Sequence, residues 1–156
     1  MSFMAMSIQA QDIKGGLKVS FGMPVFSDDV ENSASGTLGY SIGYFETMKL
    51  SNSVALEGEI NYTSISYETG EGDYATDEST SFIELPIMIK YVSGDFHIGG
   101  GLQFTRGGVN DFGPVVDMSY YSNNLRFGLR SFLGSKKEYS GNSVINSSIY
   151  LGLIIF

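Results

Sequence analysis

Ser81-Phe82-Ile83-Glu84-Leu85-Pro86-Ile87-Met88-Ile89-Lys90-Tyr91 is the stretch of sequence that decides the fold. Successive side chains of a β-strand point to opposite faces, so every second residue shares a face. One face then carries only the apolar side chains of Ile83, Leu85, Ile87, Ile89 and Tyr91. The other face carries Glu84, Pro86, Met88 and Lys90, and so holds two opposite charges. The stretch is therefore predicted to be a strand with one apolar and one polar face.

The composition favours a single β-structured domain. The chain has 156 residues, with 13% aromatic residues, 20 Gly and only 3 Pro, a mixture that suits strands joined by tight turns. No unbroken apolar run is long enough for a spanning helix, so a membrane protein with this sequence must be a β-barrel. The absence of Cys excludes disulfides and thiolate metal sites. The net charge of −8 argues against nucleic acid as a partner.

The first ten residues differ from the rest. Met1–Ala10 is small, apolar and Met-rich, and it ends in Ile-Gln-Ala before Gln11. This pattern predicts the remnant of a signal peptide cleaved after Ala10, with residues 11–156 forming the mature barrel domain. The segment lacks a basic start, so a fraying N-terminus, or a true start upstream of Met1, remains the alternative.

The same alternation recurs along the chain. Seven further strands are predicted at residues 15–23, 37–50, 54–67, 96–105, 113–121, 125–133 and 143–156. The phase of the third strand slips near Thr63–Ile65, which predicts a β-bulge there. The sequence thus predicts an all-β chain of eight strands without a helix.

The connections between these strands alternate in length. Ser51–Ser53, Ser93–Asp95 and Ser122–Asn124 are short, whereas the remaining connections are long. In an antiparallel meander, alternate connections lie at opposite ends. One end would therefore carry tight turns and the other extended loops, as in outer-membrane barrels.

The placement of glycine indicates which face is outside. If the apolar face pointed inward, as in a soluble lipocalin-like carrier, many glycines would lie on the outer surface, where they pack nothing. If the polar face points inward, small residues and a few long charged ones fill the narrow interior of an eight-stranded barrel. The predicted fold is an eight-stranded antiparallel up-and-down transmembrane β-barrel, with the soluble carrier as alternative. Tyrosines near strand ends, as at Tyr44, Tyr62, Tyr67, Tyr91 and Tyr120, suit an interfacial girdle.

The inward face carries the candidate functional residues, which are charges of both signs. They are Lys18, Glu57, Glu59, Glu84, Lys90, Asp117, Arg126 and Arg130. Charges in a narrow lumen need partners because their desolvation is costly. The near balance of signs predicts a plug of paired side chains, with a narrow solute or ion pore as the alternative. No cofactor or metal site is predicted.

Two other features suggest chemistry only weakly. His97 is the only histidine, and an outer-membrane lipid hydrolase would need a serine and a carboxylate beside it. It is instead predicted to be a partly exposed residue near a tight turn. Carboxylates crowd the first two long loops, at Asp28, Asp29, Glu31, Glu68, Glu71, Asp73, Asp77 and Glu78, without the spacing of a calcium loop.

The run Phe82–Tyr91 resembles the central signature of small outer-membrane β-barrel proteins of Bacteroidota, described as porin-like or PorT-type. The resemblance implies an integral protein of the Gram-negative outer membrane, in contact with the lipid bilayer and lipopolysaccharide, but its motifs specify little about function. From the residues themselves we expect no enzymatic activity and a structural or interaction role, with a protein partner at the long external loops. The last strand resembles the signal read by the outer-membrane assembly machinery, with Tyr150, Ile154 and Phe156 on one face.

Overall fold

The computed structural model describes residues 13–27, 35–36, 39–69, 76–108, 110–134 and 143–155. These residues form nine strands and no helix. The strands are β1 (Ile13–Ser27), β2 (Ser35–Gly36), β3 (Gly39–Lys49), β4 (Val54–Thr69), β5 (Thr76–Ser93), β6 (Phe96–Gly107), β7 (Asp111–Ser122), β8 (Leu125–Leu133) and β9 (Ser143–Ile154). Within the described ranges, no helix is long and apolar enough to cross a membrane.

The eight long strands close into an antiparallel barrel. Each pairs with the strand before and after it along the chain, except that β1 pairs with β3 and with β9. The two-residue strand β2 pairs with the far end of β4, at Glu68 and Tyr67. This arrangement confirms the predicted eight-stranded, up-and-down barrel.

The strand bounds correct two details of the prediction. The prediction of a bulge near Thr63–Ile65 is wrong. β4 pairs with β3 in one register from Ala55 to Ser64, and it pairs with β5 in one register through Ile65 to Thr69. Ile65 is an apolar residue that faces the interior, 6% exposed, and this mimics a change of phase in the sequence. The second loop is also shorter than predicted, since Asp77 and Glu78 belong to β5 and Glu68 to β4.

Tight turns gather at one end of the barrel. They follow β3, β5 and β7, and two of them place a residue in the left-handed region, Gly94 at φ 60° and Asn123 at φ 52°. Glycine and asparagine adopt this conformation most readily. Ile13 and Ile154 bring the first and last strands to the same end. Outer-membrane barrels carry their short turns at the periplasmic end, so the resemblance noted in the sequence predicts that this end faces the periplasm.

The barrel is polar inside and apolar outside. On β5, Leu85, Ile87 and Ile89 are 42%, 54% and 61% exposed, whereas Glu84 and Lys90 are 7% and 0% exposed. The same inversion holds for the other long strands where their side chains are described. The alternative prediction of a soluble carrier with an apolar interior is therefore wrong.

Glycines make room for the long polar side chains inside. A Cβ on Gly99 or Gly101 would overlap the backbone of β5 next to Lys90 and Met88. The glycines of β6 thus let the wall lie close to these two buried side chains. The sequence pattern of small residues between charges is a packing requirement of the narrow barrel.

Candidate functional site

Seven buried charged side chains meet across the barrel interior, and we call them the lumen charge network. They are Lys18, Glu57, Glu59, Lys90, Asp117, Arg126 and Arg130, and each is 7% exposed or less. They come from β1, β4, β5, β7 and β8, so the network ties together strands on opposite sides of the barrel. Alternation along each strand directs all of them inward. Seven of the eight charges predicted for the lumen are thus brought into contact.

Glu59 is one centre of the network. Its carboxylate accepts two hydrogen bonds from Arg130, from Nη1 at 2.5 Å and from Nη2 at 2.8 Å. It also forms an ion pair with Lys18 and accepts a hydrogen bond from Asn61 Nδ2 at 3.0 Å. A bidentate arginine–carboxylate pair is among the strongest and most directional polar contacts in proteins. Glu59 therefore fixes β1, β4 and β8 relative to one another.

Asp117 and Glu57 form the second half of the network. Lys90 Nζ lies 2.5 Å from Asp117 Oδ1 and 2.8 Å from Glu57 Oε1. Arg126 Nη2 lies 2.7 Å from the same Glu57 oxygen, and Arg130 Nη2 donates to Asp117 Oδ2 at 2.9 Å. Each carboxylate thus contacts at least two cations, and each arginine contacts at least two carboxylates. Such sharing offsets the cost of burying every ion.

Aromatic side chains complete the network, and the sequence analysis missed this role. Arg126 Nη2 donates to Tyr150 Oη at 2.8 Å, and Tyr150 Oη donates to Asp117 Oδ1 at 2.9 Å. The Arg126 guanidinium also lies 4.6 Å from the centre of the Phe45 ring and 4.8 Å from that of Tyr150. A visible signal was available, because Phe45 shares its parity with the inward residues Ser41 and Thr47, and Tyr150 shares its parity with Ser148.

Glu84 lies in the lumen as predicted, yet it is separate from the network. Its carboxylate accepts hydrogen bonds from Thr63 Oγ1 at 2.9 Å and Gln103 Nε2 at 3.0 Å. Among the described residues, no lysine or arginine forms an ion pair with it. The prediction that all eight charges form one paired set is therefore wrong for this residue. It lies further toward the loop end than Lys90 on the same strand.

A cavity lies on the loop side of the network, and we call it the vestibule. Its empty volume, which includes space open to solvent, is about 380 Å³, and its walls include Ser20, Ser41, Thr63, Glu84, Gln103 and Arg130. Ser20 and Ser41 hydrogen-bond to each other across β1 and β3. Gln103 Oε1 is buried there without a partner among the described residues. The described part of the lumen therefore has one region filled by paired charges and another with polar walls and some free space.

The charges of the interior nearly cancel. The network has four basic and three acidic residues, a formal sum of +1, and Glu84 brings the sum over the buried charges of the described residues to zero. A neutral sum limits the energy of concentrating ions in a region of low dielectric. Glu84 therefore contributes to the charge balance from a distance.

His97 occupies a different environment from the one predicted. It is only 5% exposed, and its ring lies 4.3 Å from that of Tyr121, so the expected partial exposure is wrong. Its Nδ1 has no hydrogen-bond partner within the described ranges. The described residues also contain no cluster of His, Asp or Glu suited to hold a metal ion.

The last strand has a defined orientation. Tyr150 faces the lumen at 2% exposure, while Ile149, Leu151 and Leu153 face outward at 42–67% exposure. Ile154 has the same parity as Tyr150, and Phe156 lies outside the described residues. The assembly signal at these residues stays a prediction. The predicted signal remnant, residues 1–10, also lies outside the described ranges.

Comparisons with known proteins agree with this architecture. The protein family described as "Outer membrane protein beta-barrel domain" matches residues 1–147 of the chain. The fold is similar to that of Ail, the attachment invasion locus protein of Yersinia pestis, solved in complex with the heparin analogue sucrose octasulfate. That match has a TM-score of 0.57 at 9% identity and covers 92% of this chain and 99% of Ail.

A second solved structure is also similar. AlkL, an outer membrane protein determined in lipid bilayers, matches with a TM-score of 0.46 at 10% identity, over 99% of this chain and 97% of AlkL. No curated protein matches the sequence significantly. The protein is an integral outer-membrane barrel, and the chain belongs to the outer membrane protein beta-barrel domain family.

Proposed function

We propose that this barrel is a non-enzymatic outer-membrane protein whose lumen is closed by the lumen charge network and whose loops bind a partner. The observation that carries the proposal is the contact of Glu59 with Lys18, Arg126 and Arg130, which join opposite walls of the barrel. A hydrated solute would have to separate these ion pairs to pass. Separating them would leave buried charges without their partners, which is unfavourable in a narrow lumen.

The absence of catalysis is part of the proposal. The single histidine of the sequence packs against Tyr121, and its Nδ1 finds no donor or acceptor among the described residues. A hydrolase triad would need that nitrogen to be oriented by a carboxylate while the other approaches a serine. These features support a structural or binding role.

The loop end supplies the proposed binding surface. Its first two loop segments and adjoining strand ends are rich in carboxylates, including Asp28, Asp29, Glu71 and Asp73, and the whole chain has a net charge of −8. Ail has a related fold and was solved with a polysulfated ligand. A polyanion of that kind would be repelled by acidic loops, so we propose a cationic partner for this chain. Retention on immobilised polylysine, with passage through immobilised heparin, is the expected behaviour; tight binding to heparin would contradict it.

Planar-bilayer recording tests the closed lumen. The refolded wild-type barrel is expected to give no steady single-channel conductance. The Arg126→Ala/Arg130→Ala variant removes the two arginines that bridge the walls and is expected to conduct intermittently. Arg106→Ala is the matched control, because Arg106 is exposed outside the network and its loss should leave the bilayer silent. Steady conductance of the wild type would contradict the plug and favour the narrow pore.

A further inference from the structure

The apolar outer surface contains one anomalous carboxylate, that of Glu46. On β3 the outward positions are Tyr40, Ile42, Tyr44, Glu46 and Met48, while Phe45 and Thr47 on either side of Glu46 are buried inside. Across the described outward face, Glu46 is the only charged residue with apolar outward residues both before and after it on its strand. The alternation of the strand predicts this position from the sequence, because Glu46 lies two residues after the outward Tyr44.

Glu46 stands beside a depression in the outer surface. It pairs with Gly15 of β1 on one side and Gly58 of β4 on the other, and Gly58 in turn pairs with Ile87 of β5. A Cβ built on Gly58 would meet no atom within 4 Å. Because paired strands lie about 4.8 Å apart, the backbones at Glu46 and Ile87 lie roughly 10 Å apart, with no side chain on Gly58 between them.

The walls of this depression are amphipathic. Gly58 forms its floor, and Leu56 and Ile60 flank that floor along β4. Ile60 and Ile87 are 50% and 54% exposed, so both present apolar surface to the surroundings. The opposite wall is the exposed side chain of Glu46. A ligand that fills the site should therefore combine an apolar chain with a positively charged hydrogen-bond donor.

The depth of Glu46 selects the side of the membrane. It lies four residues before Leu50, which opens a short turn at the periplasmic end. At about 2.5 Å of height per tilted strand residue, the carboxylate lies on the order of 10 Å from that turn. We infer that it lies at the border between acyl chains and headgroups of the periplasmic leaflet. Through Gly58 it is level with Ile87 of β5, four residues further from the turns than Tyr91.

No described residue neutralises this carboxylate. Glu46 has no ion pair or hydrogen bond to any side chain in the described ranges. An ionisable side chain on the lipid-facing surface, set between apolar residues and without a partner, is costly and marks a functional position. Something outside this chain is therefore expected to supply the positive charge.

We propose that the depression formed by Glu46, Gly58, Leu56, Ile60 and Ile87 binds a phospholipid whose headgroup carries a primary ammonium. The ammonium donates hydrogen bonds to the Glu46 carboxylate, and an acyl chain lies over Gly58 against the three aliphatic side chains. A second copy of this chain fits less well, because a two-fold interface through this surface would place two Glu46 carboxylates together.

Native mass spectrometry of barrels released from mixed vesicles tests the proposal. The vesicles contain equal amounts of phosphatidylethanolamine and phosphatidylcholine with identical acyl chains, so only the N–H donors of the headgroup differ. The wild type is expected to retain the ethanolamine lipid about tenfold more than the choline lipid, the difference that one charge-assisted hydrogen-bond set can supply.

Two variants and one control locate the site. Glu46→Gln removes the charge and Gly58→Leu fills the depression, and each should abolish the preference while heat-modified gel mobility shows a folded barrel. Ser122→Ala, on a strand end remote from β3 and β4, should keep it. Equal retention of both lipids by the wild type, or a preference that survives Glu46→Gln, would overturn the proposal. The proposal would also be overturned if the wild type formed a dimer and Glu46→Gln dissociated it, because the surface would then bind a second copy of the chain.

Discussion

The lumen charge network and the vestibule both lie inside the barrel, yet their buried carboxylates are stabilised by different partners. Glu59 contacts the three cations Lys18, Arg126 and Arg130, whereas Glu84, equally buried at 7% exposure, contacts only the neutral donors Thr63 and Gln103. The first arrangement joins opposite walls through shared ion pairs. The second borders the vestibule, whose free space of about 380 Å³ includes solvent open to it. We therefore propose that cross-lumen pairing of opposite charges, more than polarity itself, closes this barrel.

The largest effect is expected when the network loses both arginines. Arg126→Ala/Arg130→Ala leaves Glu57, Glu59 and Asp117 buried with fewer cations, and breaking one such pair alone costs about 3–5 kcal/mol. Samples heated to a series of temperatures before electrophoresis should lose the fast-migrating folded form at a much lower temperature than the wild type does. Arg106→Ala serves as control and should melt like the wild type. Unchanged melting of the double variant would show that the network does not stabilise the barrel.

A smaller loss is expected from the hydroxyl that bridges the network. Tyr150→Phe removes the bond from Arg126 Nη2 and the bond to Asp117 Oδ1, while the ring stays against both arginines. Hydrogen bonds to charged groups contribute about 1.5–3 kcal/mol each before compensation by neighbours. Urea titration of the folded fraction in lipid vesicles should show a loss within that range. Tyr120→Phe, whose tyrosine is exposed outside, is the matched control and should show none.

Gly128 tests the packing of the same tyrosine. A Cβ at this position would overlap the far end of the Tyr150 ring, so Gly128→Ala must displace that ring from Arg126. Overpacking of this kind costs about 1–3 kcal/mol. In the Tyr150→Phe background the added cost should fall, because no hydroxyl bonds remain to be disturbed. Purely additive effects in this double-mutant cycle would contradict the proposed coupling.

The smallest effect is expected in the vestibule. Glu84→Gln keeps the shape of the side chain and can still accept from Thr63, so its cost should stay below about 1.5 kcal/mol, the net value of a neutral hydrogen bond. Glu59→Gln is the matched comparison and should cost several times more, because three cations lose their counter-charge. Similar losses for the two variants would remove the distinction between the two halves of the lumen.

The sequence alone predicted the barrel and the facing of its residues, because alternation along a strand determines which face a side chain occupies. It did not predict the partners across the lumen, since these depend on the register and tilt that close the sheet. Strand alternation alone therefore places Glu84 in one charge set with Lys90 and Arg130, although its hydrogen-bond partners are Thr63 and Gln103. Ile65 suggested a bulge because one apolar residue on the inner face looks the same in sequence as a change of phase.

The outer face shows the same limit. Glu46 falls on the apolar side by simple counting, but its significance depends on Gly15 and Gly58, which lie beside it only in the paired sheet. Tyr150 was assigned to an assembly signal from its position near the chain end. The structure adds hydrogen bonds to Arg126 and Asp117, which no local pattern announces.

Cysteine accessibility from each side of the membrane tests the closed lumen most directly. The chain has no native cysteine, so Ser148→Cys in the vestibule and Lys14→Cys at the periplasmic mouth each introduce a single thiol. In sealed vesicles with the loops outside, a small charged thiol reagent added externally should label Ser148→Cys and spare Lys14→Cys. Labelling of Lys14→Cys at the same rate, with the vesicles still sealed, would contradict closure by the lumen charge network.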